Sequence, residues 1–414
     1  MGIKVEGKVY GDIERKKALE GLRIIDLSQV YAGPYASKLL ADMGAEVIRV
    51  ESAVRSGRGG QKPQSGAVYP DGEPGERPYN RSAYYNELNR NKLAISLDLS
   101  KDQGREVFKR LVKVSDVVIE NFSPRVMENF GLDYPTLRQI KPEIIVVSIS
   151  AYGQTGPYRD YVSFGRGIEA MAGLSQITGY DDSQPLGAGI AYADATAGLH
   201  AAFAVLVALR HRRRTGKGQR IDLSLRESLT PLLGEHVLDY SMNKRSPERG
   251  GNRDSSTIFQ GCYRCRGNDA WITIAIYSDE EWESLRNAIG NPTGRDEDLD
   301  NVIENWTLSH EPDEAMRILQ KAGVRAGAVL GAEDLTSDPH LKERGFFEIV
   351  THPEAGTHPY PGMPWKLSRT PGKIHNPAPC FAQHNDYVFG ELLGIPKEEI
   401  AELAEEGIIT RVPL

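Results

Sequence analysis

The chain has 414 residues, a formal net charge of −7 and 40% hydrophobic residues. This length exceeds what one compact core usually holds, so we expect two domains or lobes. The negative charge gives no support for binding nucleic acid or an anionic membrane, and no apolar run reaches the ~20 residues that span a bilayer. Segment 1–21 is polar and lacks a secretory signal, so we expect a cytoplasmic protein.

Short apolar strands alternate with helical patterns over the first 155 residues. Strands are predicted over 22–29, 45–52, 92–99, 116–122 and 142–153, and helices over 32–44 and 102–115. A strand–helix–strand order within about 30 residues is the βαβ unit of a parallel sheet. The pattern therefore predicts an open, doubly wound α/β domain.

Two other parts of the chain depart from this alternation, a long segment between two of the strands and the region after residue 155. Segment 53–85 is rich in Gly, Pro and charge, and we interpret it as a mobile loop, with part of an active site as the alternative. Helices are predicted over 164–180 and 194–212, and a strand followed by a helix over 218–242. Hairpin strands and then helices over 256–345 indicate a second, smaller α+β domain.

The cysteines and histidines form no recognisable site. An odd count of three cysteines argues against a disulfide framework, and Cys262 and Cys265 fall in a predicted hairpin without a second ligand pair. The histidines lack metal-ligand spacing, and neither a phosphate-binding glycine loop nor a G-x-S-x-G elbow is present. These absences disfavour a dehydrogenase, a kinase and a serine hydrolase.

Six segments in a fixed order carry a resemblance to a known family. They are residues 19–51, 89–99, 116–134, 148–160, 194–228 and 378–395. Together they resemble the type III CoA-transferases, the CaiB/BaiF family. The resemblance implies a Rossmann-like large domain built from residues 1–230 and 346–414, and a smaller α+β domain over 231–345. It also implies that two chains interlock in a dimer, which is homomeric or pairs two related chains.

Members of this family move CoA from an acyl-CoA to a free carboxylic acid, so CoA is a substrate and product, and no further cofactor or metal is implied. By the resemblance, the nucleophile is the Asp that begins a D-x-x-x-G-x-x-A segment, which is Asp194 in "DATAGLHAA". A carboxylate nucleophile divides a difficult exchange into easier steps. Asp194 also suits the N-cap of the alanine-rich helix, where the helix dipole favours the ionised form.

The resemblance also suggests where CoA binds. Candidate contacts to the thiol arm and the nucleotide are Val30, Tyr31, Ala32, Leu97, Asn121, Phe122 and Lys92. Core packing is the alternative for Leu97 and Phe122, and a solvated charge is the alternative for Lys92. Two basic residues common in close relatives are replaced by Ser52 and Asn129. Arg125, Arg49 or Arg58 are therefore candidates for holding the CoA phosphates.

One departure bears on the reaction. Racemases of the same family place a His–Asp pair where this chain has Phe164 and Gly165. A racemase needs two groups that remove and return a proton at the α-carbon, and this pair is missing. Glu169, one helical turn later, is either a substitute base or, as we favour, a surface residue. Gly165 would leave room for a bulky acid.

The substrate is less constrained than the reaction. Tyr31 and Gly165 favour an aromatic or branched acid. The extended N-terminus and segment 53–85 are similar to subunits of the succinyl-CoA:benzylsuccinate type of transferase, which would make succinyl-CoA the donor and a related chain the partner. An acyl-CoA racemase or isomerase, and a CoA-binding subunit without its own catalysis, are the alternatives.

Overall fold

The computed structural model describes residues 17–54, 62–63, 66–180, 183–254, 256–290 and 299–413. The chain divides into two compact units. Unit 1 contains Met1–Ala172, Gly189–Gly234 and Gly345–Leu414, and unit 2 contains Gly173–Ala188 and Glu235–Arg344.

Unit 1 is organised around one parallel sheet. Its strands are β1 (Arg23–Asp26), β2 (Glu46–Glu51), β3 (Lys92–Ser96), β4 (Val117–Glu120), β5 (Ile145–Ser150) and β6 (Arg220–Ser224). They are hydrogen-bonded in the order β3-β2-β1-β4-β5-β6. Ile24 of β1 pairs with Val47 on one side and Val117 on the other. The predicted α/β class with a parallel sheet is confirmed, and this strand order reverses direction between β1 and β4.

Seventeen helices lie within the described residues. They are α1 (Ala32–Asp42), α2 (Pro78–Arg81), α3 (Ala83–Asn89), α4 (Asp102–Lys113), α5 (Val126–Asn129), α6 (Tyr134–Ile140), α7 (Gly165–Ala172), α8 (Leu174–Ile177), α9 (Tyr192–Thr215), α10 (Leu225–Leu229), α11 (Gly234–Asn243), α12 (Asp279–Ala288), α13 (Leu299–Thr307), α14 (Pro312–Lys321), α15 (Ala332–Ser337), α16 (Pro339–Glu343) and α17 (Lys397–Glu405). Short 3₁₀ turns cover Pro70–Gly72 and Thr230–Leu233, and a π-helical turn covers Asp386–Leu392.

The core of unit 1 joins distant parts of the chain. Phe108 and Leu111 lie on the apolar face of α4 and are fully buried. They share one cluster with Val388 and Phe389 of the C-terminal π-helical turn. Burying these side chains together removes apolar surface from water, which ties the C-terminal part to the N-terminal sheet. A hairpin of β10 (Phe347–His352) and β11 (Gly356–Pro361) also belongs to unit 1.

Helix α9 packs closely against α1 through small residues. A Cβ added at Gly198 would lie 2.8 Å from the carbonyl oxygen of Ala32 and 2.8 Å from the Tyr35 ring, so only glycine permits this approach. Among the described residues, α9 is the one helix whose length and apolar composition would suffice to cross a membrane. Its buried alanine-rich face, including Ala197 and Ala201, is typical of a core helix instead.

Unit 2 contains a small antiparallel sheet of β7 (Phe259–Arg264), β8 (Trp271–Ile276) and β9 (Arg325–Ala328). Alternate residues of β8, Ile272 and Ile274, point into a core that includes Trp282 of α12 and Leu319 of α14. The predicted hairpin is confirmed, and Cys262 pairs with Thr273 across it. Cys262, Cys265 and Cys380 form no disulfide, and the described residues hold no cluster of three metal-ligating side chains.

The described part of segment 53–85 includes short helices that its composition does not predict. Residues 55–61 and 64–65 lie outside the described residues, but the 3₁₀ turn, α2 and the start of α3 follow them. Tyr79 and Tyr85 are buried, and the backbone N–H of Phe381 donates to the Asn80 side chain at 2.9 Å. The interpretation of the whole segment as a mobile loop is therefore wrong for residues 70–85.

Candidate active site

The site lies at the carboxyl ends of β1 and β4, where the strand order reverses. Ligands of open α/β sheets bind at this switch point. The Asn121 side chain ties the two loops together, because its oxygen accepts from the Gln29 N–H at 2.8 Å and its amide donates to the Gln29 carbonyl at 2.6 Å. Val30 follows with φ 63°, a left-handed conformation that is rare for a β-branched residue and typical of functional sites.

A cavity of about 290 Å³ opens at this point. Its lining includes five of the residues predicted from the sequence, namely Val30, Ala32, Asn121, Phe122 and Asp194. The chain segment that leads into α7 supplies further lining, including Phe164, which is 71% exposed. The structure thus brings the predicted nucleophile and four of the predicted CoA contacts to one cavity of unit 1.

Asp194 lies in the first turn of α9 and is only 9% exposed. The N-cap is Ala191, which makes no side-chain capping bond, so the N-cap alternative for Asp194 is wrong by three residues. Burial raises the pKa of Asp194 to about 6, although the backbone N–H groups of Ala32 and of Asp194 itself donate to the carboxylate and lower it. The negative charge of Glu169 raises the pKa further.

Two helix N-termini converge on this carboxylate. Ala32 is the first residue of α1, so its N–H has no partner within the helix and donates to Asp194. Asp194 itself lies in the first turn of α9, where free N–H groups and the helix dipole favour negative charge. Backbone donors fixed beside a carboxylate also suit the oxyanions that form when it attacks a carbonyl.

Glu169 is fully buried on α7, so its interpretation as a surface residue is wrong. Its carboxylate accepts from the backbone N–H of Tyr192, the first residue of α9, at 3.1 Å. Because α9 has no side-chain N-cap of its own, a carboxylate from a neighbouring helix satisfies one of its free donors. Glu169 thus fixes the helix end that carries Asp194.

Gly165 begins α7 and faces the nucleophile directly. A Cβ at this position would lie 2.6 Å from Oδ2 of Asp194 and 3.2 Å from the Cβ of Ala191. The missing side chain therefore makes room for the Asp194 carboxylate, and not for a bulky substrate as the sequence suggests.

Two tyrosines lie close enough to Asp194 to feel its charge. Burial, with smaller contributions from nearby charges that include Asp194, raises the pKa of Tyr31 to about 12. Burial and the Asp194 charge also raise the pKa of Tyr84, whose ring centroid is 6.1 Å from that of Tyr31. Tyr31 is a predicted CoA contact that lies beside the cavity, whereas Tyr84, in segment 53–85, escaped the sequence analysis.

Lys92 and Leu97 lie outside the cavity lining. The Lys92 ammonium is completely buried and donates to Asp26 at 3.0 Å and to the Pro34 carbonyl at 3.0 Å. Burial lowers its pKa to about 8. Leu97 is 1% exposed and packs in the core of the sheet. The solvated-charge alternative for Lys92 is wrong, and we carry neither residue into the proposed CoA site because a ligand cannot reach them.

The three arginines considered for the CoA phosphates differ in exposure. Arg49 is 3% exposed and pairs with Glu51 at 3.1 Å, so its guanidinium is engaged within the core. Arg125 is largely exposed and pairs with Asp160 at 2.8 Å, outside the cavity lining. Arg58 lies outside the described residues. Arg125 and Arg58 therefore both stay predictions for phosphate binding.

A doubly wound α/β unit with a buried carboxylate at its switch point has the features that an enzyme with a carboxylate nucleophile requires. The model of CoA-transferase family III matches residues 19–385, and the chain belongs to this family. The resemblance stated from the sequence is thereby confirmed, and the chain is a CoA-transferase.

The relatives and solved structures agree with this assignment. The chain is 34% identical to the succinyl-CoA–D-citramalate CoA-transferase of Chloroflexus aurantiacus, over 95% of this chain and 98% of that one. It is 33% identical to the succinate–glutarate CoA-transferase of Agrobacterium fabrum, over 91% and 96%. A crystal structure of a CaiB/BaiF family protein from Brucella suis matches with a TM-score of 0.81 and 30% identity, over 91% of this chain and 99% of that one.

Proposed function

We propose that this chain transfers CoA from succinyl-CoA to a free carboxylic acid of the dicarboxylic class, through an Asp194–CoA thioester. The observation that carries the proposal is the buried Asp194 carboxylate, held by the Ala32 N–H at the wall of the switch-point cavity. The relatives named for citramalate and glutarate support the substrate class, since both acids carry two carboxylates.

The reaction follows from the chemistry of a carboxylate nucleophile. Asp194 attacks the thioester carbonyl, which forms a mixed anhydride and releases the CoA thiolate. The thiolate attacks the Asp194 carbonyl of the anhydride, which gives the enzyme-bound thioester and frees succinate. The carboxylate of the acceptor acid then attacks the carbonyl of this thioester, which forms a second mixed anhydride and releases the CoA thiolate again. The thiolate finally attacks the acceptor carbonyl, which gives the new acyl-CoA and restores the Asp194 carboxylate.

The environment of Asp194 suits its roles as the attacking carboxylate and as the group that carries the CoA thioester. With a pKa of about 6, about nine tenths of the carboxylate is ionised at pH 7, so it is ready to attack. Partial burial removes part of its hydration shell, which makes an anion more reactive than it is in water. The backbone N–H groups around it are fixed in place and can donate to the oxyanion of each tetrahedral stage.

The racemase alternative receives no support from the site. Phe164 and Gly165 stand where the racemases place their His–Asp pair, and neither residue has an ionisable side chain that could remove or return a proton. Glu169 is engaged by the Tyr192 N–H and is fully buried, so it does not provide a second base at a substrate α-carbon.

The interlocked dimer and the cytoplasmic location complete the proposal. The outer face of α9 exposes Leu199, Phe203, Leu206 and Val207, which follow each other at helical spacing. An apolar stripe of this kind is suited to burial against a second chain. Relatives named as alpha subunits of a succinyl-CoA–L-malate CoA-transferase support a related chain as one form of partner.

Isotope exchange tests the function without knowledge of the final acceptor. An enzyme that uses succinyl-CoA exchanges labelled succinate into it, because each half-reaction is reversible. We expect exchange by the wild-type chain and none by Asp194→Ala. A matched control is Asp98→Asn. The Asp98 carboxylate accepts from the Ser100 N–H outside the cavity, so loss of its charge should leave exchange intact. Deuterium incorporation at the α-carbon without exchange would favour a racemase.

A further inference from the structure

Arg159 lies in the segment between β5 and α7 and lines the same cavity as Asp194. Among the described residues of that lining, it is the one with a cationic side chain, and Asp194 is the one with an anionic side chain. The cavity therefore presents one negative and one positive group to whatever enters it.

The guanidinium of Arg159 is poorly satisfied by the protein. Its Nε is inaccessible to solvent and has no hydrogen-bond partner within the described part of the chain. Its ion pair is with Glu128, at 4.0 Å, and both side chains are partly exposed, so this contact is weak. The neighbouring Asp160 is already engaged by Arg125 at 2.8 Å. The ion pair of the Arg159 guanidinium is therefore weak, and this cation lines the reaction cavity, where it can pair with an anionic group of a ligand.

Arg159 and Asp194 reach the cavity from different elements of unit 1. Arg159 lies in the segment between β5 and α7, and Asp194 lies in the first turn of α9. A substrate carboxylate at the far end of the acyl chain would be repelled by Asp194 and would need a cation of its own.

We propose that Arg159 binds the second carboxylate of a dicarboxylic acyl group and selects dicarboxylic over monocarboxylic substrates. A planar guanidinium binds a carboxylate through two parallel hydrogen bonds, which fixes both its position and its direction. The bound carboxylate would hold the other end of the acyl chain toward Asp194. This inference rests on the proposed function, since it assigns the substrate class of the same site.

A phosphate of CoA has similar anionic chemistry, so the test separates the two sources. The assay measures kcat/KM for exchange of succinate with succinyl-CoA and of butyrate with butyryl-CoA, which share a four-carbon acyl chain. The variants are Arg159→Gln and Arg159→Lys, with Arg110→Gln as a control. Arg110 pairs with Glu399 at 2.8 Å on the exposed side of α4 and lies outside the cavity.

We expect Arg159→Gln to lower kcat/KM for succinyl-CoA by roughly 10- to 100-fold, as loss of a charge-assisted hydrogen bond requires. The kcat/KM of Arg159→Gln for exchange with butyryl-CoA should change less than threefold. For succinyl-CoA, the kcat/KM of Arg159→Lys should lie between those of Arg159→Gln and the wild type. Arg110→Gln should have the kcat/KM values of the wild type. Inhibition constants for free succinate and butyrate provide a second measurement. In Arg159→Gln, inhibition by succinate should become weaker, and inhibition by butyrate should not change.

Equal losses with both esters would overturn the inference. If those losses also vanished with succinyl-pantetheine, which lacks the nucleotide phosphates, Arg159 would instead contact a CoA phosphate. If the ratio of kcat/KM for succinyl-CoA to that for butyryl-CoA is the same in Arg159→Gln as in the wild type, selection by this residue is likewise refuted. Wild-type protein that exchanges neither ester would refute the proposed function itself, whereas wild-type exchange with an unchanged ratio would refute the Arg159 assignment alone.

Discussion

Replacing the nucleophile should stabilise the protein while abolishing its activity. Asp194 has a folded pKa of about 6 against an ordinary value of 3.8, and burial is the main cause. The folded state therefore holds this proton more tightly than the unfolded chain, so its ionisation weakens folding as pH rises from 4 through 6. Above pH 7 the full difference corresponds to about 3 kcal/mol. Asp194→Asn has no such charge and should escape this penalty.

Unfolding of the wild type and Asp194→Asn at two pH values measures the effect. We expect the variant to be more stable by about 3 kcal/mol at pH 8 and by about 1.5 kcal/mol at pH 5, where the carboxylate is largely protonated in the folded state. Other titrating groups are common to both proteins and cancel in the difference. A variant that is less stable than the wild type, or equally stabilised at both pH values, would refute this account of the site.

Two further substitutions test the neighbours of the nucleophile, and a third tests the buried ion pair of Lys92 with Asp26. Glu169→Gln keeps an acceptor for the N–H at the start of α9 but removes the negative charge that raises the pKa of Asp194. The acid limb of the pH profile of kcat/KM should therefore move from near pH 6 to lower pH. An acid limb that stays at the same pH would contradict this. Gly165→Ala places a Cβ 2.6 Å from the nucleophile and should slow exchange by roughly 100-fold with folding intact; wild-type rates would show that the space is not needed. Lys92→Met leaves the buried Asp26 without its closest cation and should cost about 3–5 kcal/mol in urea unfolding; a loss below about 1 kcal/mol would argue against the buried pair.

Local patterns predicted most of the fold. The apolar strands and amphipathic helices of unit 1 appear where the periodicity places them, with ends shifted by a few residues, because each element depends on its own sequence. The hairpin at Cys262 follows from the same kind of signal. Segment 70–85 was less predictable, since its short helices are held by contacts to distant residues such as Phe381.

Site residues that belong to a sequence motif were predictable, whereas residues whose role depends on tertiary contacts were not. Asp194 was found through its segment, yet its place inside the helix depends on where α9 begins. Glu169 looked exposed because one turn of helix does not show what packs against it. The one available signal is Ala191, whose side chain cannot accept a hydrogen bond from the first N–H groups of α9, so an acceptor is required from elsewhere in the fold. Lys92 pairs with Asp26, 66 residues away, and no local pattern reports such a pair.

The covalent intermediate is the central claim, and chemical trapping tests it most directly. The protein is incubated with succinyl-CoA and then with hydroxylamine, which converts an activated carboxylate into a hydroxamate, and its peptides are analysed by mass spectrometry. We predict a hydroxamate on Asp194, dependent on succinyl-CoA and absent from Asp194→Asn. A modification at another carboxylate, or exchange activity with no modified peptide, would contradict the account.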